Sequence, residues 1–171
     1  MPDRSHAENL WKGLPPGLAE AAYLAVLRTA DDLQASVAEL LKPYGLSPTQ
    51  YNALRILRGA GEDGLACSKV GERMINRDPD ITRLLDRLEA RGLIARSRGK
   101  EDRRKIFATI THSGLVLVKK LDQPVEDFIH GLLGDVDENK QRSAVEFLEE
   151  LRKNARATVK KAAQSEDHHS F

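Results

Sequence analysis

Residues 78–111, DPDITRLLDRLEARGLIARSRGKEDRRKIFATIT, constrain this chain more than any other stretch, because three backbone instructions follow one another there. Asp78 offers an N-cap, and Pro79 suits the first helical position, where a missing N–H costs nothing. Ile81, Leu84, Leu85 and Leu88 fall at i, i+3, i+4 and i+7, a single apolar stripe. The same period puts Pro79, Arg83, Asp86 and Ala90 on the opposite face, flanked by Asp80, Thr82 and Arg87. Gly92 then stands where a left-handed residue ends a helix, with Leu93 as the apolar partner of a Schellman stop. A strand (94–98), a polar tip and a second strand (104–110) complete a hairpin. Helix, sharp stop and basic hairpin in this order predict a winged helix-turn-helix that reads double-stranded DNA.

The charge distribution agrees locally. Between positions 76 and 105 stand ten Lys/Arg against six Asp/Glu, a surplus of four in a chain whose net charge is +1. A near-neutral protein with one basic edge is what DNA recognition asks for when the other surfaces serve other purposes. The plainer reading is a solvated helix face. Arg83 and Arg87, however, are like charges at i, i+4, which mildly destabilises a helix and favours phosphate or base contact instead.

The run Asp102-Arg103-Arg104, followed by Ile110-Thr111 and Gly114, resembles the D-x-R…(L/I)-T-x-x-G wing signature of the MarR family of bacterial regulators. T-R-L-L-D-R-L-E-A-R-G-L-I, residues 82–94, is similar to that family's recognition helix and its exit, and the likeness runs in order from about residue 18 to about 157. The resemblance implies a homodimeric, ligand-responsive regulator, expected to repress, on a pseudo-palindromic operator. Pro79, Asp80, Thr82, Arg83 and Arg87 on the helix, with Arg98, Lys100 and Arg103 on the wing, are the candidate DNA contacts. Asp102 and Arg104 are expected to pair within the wing and fix its tip.

The rest of the chain fits a mainly α fold with a small β-wing, in which a winged helix-turn-helix lobe (47–111) joins a long-helix dimerisation lobe. An N-terminal arm (1–17) precedes one domain (18–162), and a polar, flexible tail (163–171) follows. The dimerisation helices are expected at 18–42, 112–134 and 137–162. The first of these, about 24 residues to the break at Lys42-Pro43, would span about 36 Å, too long for a small lobe to cover. A second subunit is the economical cover for its apolar stripe. Ser47-Pro48-Thr49-Gln50 reads as a capping box with proline at N1. Leu65-Ala66 is a candidate third strand, residues 68–74 the first helix of the helix-turn-helix, and Asn76 its turn. Thr111 and Asp137 are candidate caps for the last two helices, with Pro124 expected to kink the first of them.

Catalysis has no visible basis. The histidines carry no HxxxH or HExxH spacing, and no glycine-rich phosphate loop or G-x-S-x-G elbow occurs. Neither a catalytic set, a metal site nor a cofactor is therefore expected. With no apolar leader and no long apolar run, a cytoplasmic chain without membrane contact is the expectation. A single cysteine, Cys67, excludes an internal disulfide. It is expected to be a small core residue, the alternative being a thiol-based redox sensor, since a helix N-terminus lowers a thiol's pKa. The resemblance further implies a small aromatic or anionic effector between the dimer helices and the DNA-reading lobe. Tyr23, Leu27, Arg28, Tyr44, Tyr51 and His112 are the candidate lining. Arg28 either holds such an anion or pairs with Asp31 or Asp32. The rival class, a winged-helix protein-interaction module without DNA binding, predicts apolar or acidic residues on the exposed face of the recognition helix.

Overall fold

Side-chain caps written into the sequence set most of the helix starts. The computed structural model describes residues 17–75, 80–99 and 102–167. These comprise helices α1 (Leu18–Leu41), α2 (Pro48–Ala60), α3 (Cys67–Arg73), α4 (Ile81–Ala90), α5 (His112–Leu133) and α6 (Glu138–Asp167). Strands β1 (Leu65–Ala66), β2 (Ile94–Arg98) and β3 (Ile106–Ile110) complete the set. At α2 the capping box closes both ways: Gln50 N donates to Ser47 Oγ (3.2 Å) and Ser47 N to Gln50 Oε1 (3.0 Å), with Pro48 at N1. Asp137 caps α6, its Oδ1 accepting from Asn139 N (3.1 Å) and Lys140 N (3.2 Å).

Helix α4 starts later than its sequence pattern suggested. Asp78 and Pro79 lie outside the described residues, as does Asn76 of the turn, and the cap is Asp80, whose Oδ1 accepts from Arg83 N at 3.1 Å. Its φ of −123° and ψ of 55° are not helical, so the described helix begins at Ile81. Its exit follows the expected Schellman geometry. Leu93 N donates to Leu88 O (3.0 Å) and Gly92 N to Glu89 O (2.8 Å), with Gly92 at φ 67°.

The three strands form one antiparallel sheet in the order β1-β3-β2, with Leu65 opposite Ala108, Ile94 opposite Ile110 and Arg98 opposite Ile106. The hairpin's second strand begins at Ile106, not 104, because Lys105 N bonds to Asp102 O (3.0 Å) and holds the preceding residues in a turn. Against this sheet and among the helices lie Leu54, Leu57, Val70, Leu84, Leu85, Leu88, Ile94 and Ala108, all essentially inaccessible to solvent. Each buried leucine contributes about 1.5–3 kcal/mol, so the apolar stripe of α4 is a main reason that helix stays seated. Thr111 ties the wing's return to the end of α4: its Oγ1 donates to Gly92 O (2.7 Å) and its N to Leu93 O (3.1 Å). The same Oγ1 accepts from Gly114 N (3.1 Å) and so caps α5.

The chain divides into two units, the first ending at Asp122 and the second beginning at Gln123, so the break falls inside α5. Helix α1 belongs to the first unit, and of its residues only Leu41 is buried; Tyr23, Leu27 and Leu33 are exposed. In the second unit no described hydrophobic residue is buried, and Ile129, Leu132, Val145 and Phe147 all stand open. Helix α6 continues to Asp167, past the boundary expected at 162, so the segment expected as a flexible tail is helical over most of its length. Its last residues, 168–171, and all but Gly17 of the arm expected at 1–17 lie outside the described residues. Among the described residues no helix is long and apolar enough to cross a membrane.

Two glycines near the Thr111 junction separate two kinds of constraint. A Cβ on Gly92 would meet no atom within 4 Å, so only its positive φ is at stake. A Cβ on Gly114 would collide with the carbonyl oxygen of Leu93 and come within 2.8 Å of Ile110 Cγ1. Gly92→Ala should therefore cost about 1–2 kcal/mol. Gly114→Ala should cost distinctly more, because the obstacle is backbone that a hydrogen bond already fixes. Urea unfolding of the two variants beside the wild type checks the order.

Candidate nucleic-acid interface

Seating Leu84, Leu85 and Leu88 inward obliges Thr82, Arg83, Asp86 and Arg87 to face solvent, and all four are exposed. The Arg83 side chain is 82% exposed yet braced, with Nε 3.0 Å from Asp80 Oδ2. Asp80 thus does two things, capping the helix through one oxygen and orienting Arg83 through the other. An exposed pair of this kind adds little stability, but it holds a long side chain in place. Arg87 leans back along the helix, its Nε donating to Arg83 O at 3.3 Å. Ahead of α4, Ile75 N donates to Asn52 Oδ1 (2.9 Å), which pins the end of the α3 segment to α2.

The wing presents Arg98, Arg103 and Arg104 to solvent. Lys100 lies outside the described residues. The tip is closed by Gly99 N to Lys105 O (2.9 Å), and Asp102 organises it. The expected Asp102–Arg104 pairing takes a different form. Asp102 Oδ1 accepts from the backbone N–H of Arg104 (3.0 Å), not from its guanidinium. The cation beside this carboxylate is Lys105, with Nζ 3.9 Å from Oδ2. With only Arg103 between it and Arg104, Asp102 reaches the nearby N–H, as aspartates in turns commonly do.

Arg96 behaves unlike the other cations of the segment. Its Nη2 lies 2.6 Å from Asp86 Oδ1 and 2.6 Å from Glu89 Oε2, and its Nε donates to Glu89 Oε2 at 2.8 Å. Its backbone N–H donates to the other oxygen, Glu89 Oε1, at 3.0 Å. One carboxylate on α4 therefore grips both the backbone and the side chain of β2. The hydrogen bond from Arg96 holds the Glu89 carboxyl below its ordinary pKa. Strand alternation carried a signal for this: Arg96 shares the phase of buried Ile94 and so turns toward α4.

This arrangement, a seated helix with a cationic outer face beside a basic hairpin, matches known proteins. The MarR family profile covers residues 46–106. A solved MarR transcription factor from Planctomyces limnophilus is 36% identical, with a TM-score of 0.61 over 79% of this chain and 98% of that one. The chain belongs to the MarR family. The HTH-type transcriptional regulator MhqR of Bacillus subtilis is 24% identical over 134 residues, 78% of this chain and 91% of that protein. The transcriptional repressor MdtR of the same organism is 34% identical over 82 residues, 48% of this chain and 52% of that one.

Other residues singled out in this MarR-family chain are dispersed in kind. Tyr23, Leu27, Arg28 and His112 are exposed, Tyr44 is half-buried, and Tyr51 is a core residue with Arg55 5.8 Å from its ring centroid. Burial pushes the Tyr51 hydroxyl above its usual pKa, against the opposing pull of Arg55. Among the described residues neither Asp31 nor Asp32 forms an ion pair with Arg28. Cys67 is half-buried at the start of α3, and burial raises its pKa although Arg96 pulls it down. A raised thiol pKa means less thiolate, the reverse of what a redox sensor needs. Among the described residues no group of three His, Cys, Asp or Glu side chains could hold a metal ion. Besides the Arg96 clamp, sequence reasoning missed Arg91, whose Nη1 donates to Gly45 O (2.6 Å) and links the end of α4 to the turn after α1.

Because the folded-state pKa of Glu89 is lowered, its contribution to stability is complete above the unfolded-state value and fades as pH falls through the folded one. The stability difference between wild type and Glu89→Gln should therefore be constant around neutrality and shrink only below the ordinary glutamate range. Thermal melts of both proteins from neutral to acid pH check this.

Proposed function

We propose that this MarR-family regulator binds double-stranded DNA as a homodimer, laying α4 in a major groove and the wing along the adjacent backbone or minor groove. The observation that carries the reading is the outer face of α4. It offers Thr82 and two exposed arginines, Arg83 and Arg87, on a helix whose other face is locked into the core. A protein-docking helix would present apolar side chains there, and the basic wing beside it would have no use. Likeness to MdtR supports repression as its mode of action. The pairing of Arg83 with Asp80 supports a base-reading role for that arginine, and exposure at the wing tip supports a phosphate contact for Arg103. A mobility-shift assay on genomic fragments tests DNA binding itself.

The two arginines should then fail differently. Arg103→Ala should weaken binding to every sequence and flatten the dependence of log K on log salt by about 0.9, one phosphate contact. Arg83→Ala should cost about 1–3 kcal/mol on the preferred sequence and relax the preference. Equal losses on preferred and random DNA would remove Arg83 from base reading.

Dimerisation is supported by the apolar surface left open on α1, α5 and α6, where Tyr23, Leu27, Leu33, Ile129, Val145 and Phe147 are solvated in the single chain. Surfaces this apolar are ordinarily covered. Light scattering at micromolar concentration should give twice the 19.0 kDa mass of one chain. A stable species at the single-chain mass would refute the dimer.

On the same reading, an aromatic or anionic effector would meet the exposed Tyr23, Leu27 and Arg28 of α1 near Tyr44, Tyr51 and His112. Its leverage is its differential affinity for the DNA-competent and incompetent states, typically about 1–3 kcal/mol, and the coupling is reciprocal. In calorimetric titrations with aromatic acids, bound DNA should weaken the effector by the factor by which the effector weakens DNA. Arg28→Ala should lower the affinity for the acid.

A further inference from the structure

An acidic residue beside a DNA-binding surface is expected to oppose binding, yet Glu89 is placed to promote it. In the order β1-β3-β2, strand β2 is an edge, so one side of its backbone has no neighbouring strand. Arg96 pairs with Ala108 across the hairpin, but its N–H points away from β3 and donates to Glu89 Oε1 (3.0 Å). The other oxygen, Oε2, accepts from Arg96 Nε (2.8 Å) and lies 2.6 Å from Nη2, which also reaches Asp86 Oδ1. Besides the turn at Gly92, this is where α4 grips the wing through side chains. It lies midway along β2, two residues before Arg98 and close to the basic tip.

We propose that Glu89 is a positioning residue for DNA binding: by gripping β2 through Arg96, it fixes the wing's cations relative to the base-reading face of α4. The proposal rests on the DNA reading given above. Its physical basis is that helix and wing are two linked contacts on one duplex. The second forms cheaply only if the link already holds it at the right separation. Arg96 also returns a positive charge to the pair of acids, leaving Asp86, Glu89 and Arg96 together at −1 instead of −2 beside the phosphates.

The consequence separates this role from simple electrostatics. Removing a negative charge near DNA tightens binding if charge alone matters, whereas loosening the wing weakens it. The experiment measures binding of wild type, Glu89→Ala, Arg103→Ala and the double variant, over a range of salt, to a duplex enriched from a random pool by the wild-type protein. Circular dichroism confirms that each sample is folded. Glu89→Ala should bind roughly tenfold or more weakly. Arg103→Ala should cost much less in the Glu89→Ala background than in the wild type, and both single variants should show a similarly flattened salt dependence. If Glu89→Ala does not fold, Glu89→Gln, which keeps the volume and one acceptor, reports the same coupling. Binding by the folded Glu89 variant as tight as wild type or tighter would overturn the proposal, as would an equal cost of Arg103→Ala in both backgrounds. Failure of the wild-type protein to enrich any duplex would overturn the DNA reading, and this proposal with it.

Discussion

The junction at the end of α4 is where the rest of the lobe is anchored. Leu88 O and Glu89 O are satisfied by the Schellman turn, and Gly92 O and Leu93 O, just beyond the helix, are satisfied by Thr111. Gly114 passes so close to Leu93 O that no side chain fits. Recognition helix, wing and the long α5 therefore meet within a few residues, with their backbone polar groups paired. The T-x-x-G part of the wing signature is thus a statement about this junction: threonine supplies the hydroxyl that bonds twice, and glycine supplies the space.

From that anchor the charges sort by what their backbone positions allow. Arg83 and Arg87, on the helix face opposite the buried leucines, reach solvent. Arg98 and Arg103 do so on the wing. Arg96 and Arg91 do not serve the surface in that way. Arg96 closes the gap between α4 and the edge of β2, and Arg91 closes the gap between α4 and the turn at Gly45. The surplus of positive charge in this segment therefore divides between cations open to solvent and cations that tie elements together. The two architectural arginines are bound to oxygen acceptors at 2.6–2.8 Å.

Apolar burial divides as sharply. The buried hydrophobic residues among those described all lie at or before Leu121, whereas α6 and the second half of α5 carry hydrophobic side chains in the open. The core thus closes around α2, α3, α4 and the sheet, whereas α1, with Tyr23, Leu27 and Leu33, and α6, with Val145, Phe147 and Val159, leave hydrophobic side chains solvated in the single chain.

The sequence by itself determined the elements and their punctuation. The capping box at Ser47, the stop at Gly92, the cap at Asp137 and the leucine stripe of α4 are local matters, settled within one or two turns of helix, and pattern alone reveals them. The outward placement of Arg83 and Arg87 follows from the same stripe. Only the tertiary structure decided which of several candidate groups each polar side chain meets. Asp80, and not Asp78, caps the described helix because the backbone turns helical only after it. Asp102 takes the backbone N–H of Arg104 because the turn brings that group nearest. Arg96 joins Asp86 and Glu89 across a gap that no periodicity describes. Periodicity fixes the direction of a side chain relative to its own element, but a hydrogen bond between elements depends on where packing sets them down, and that is a property of the whole core.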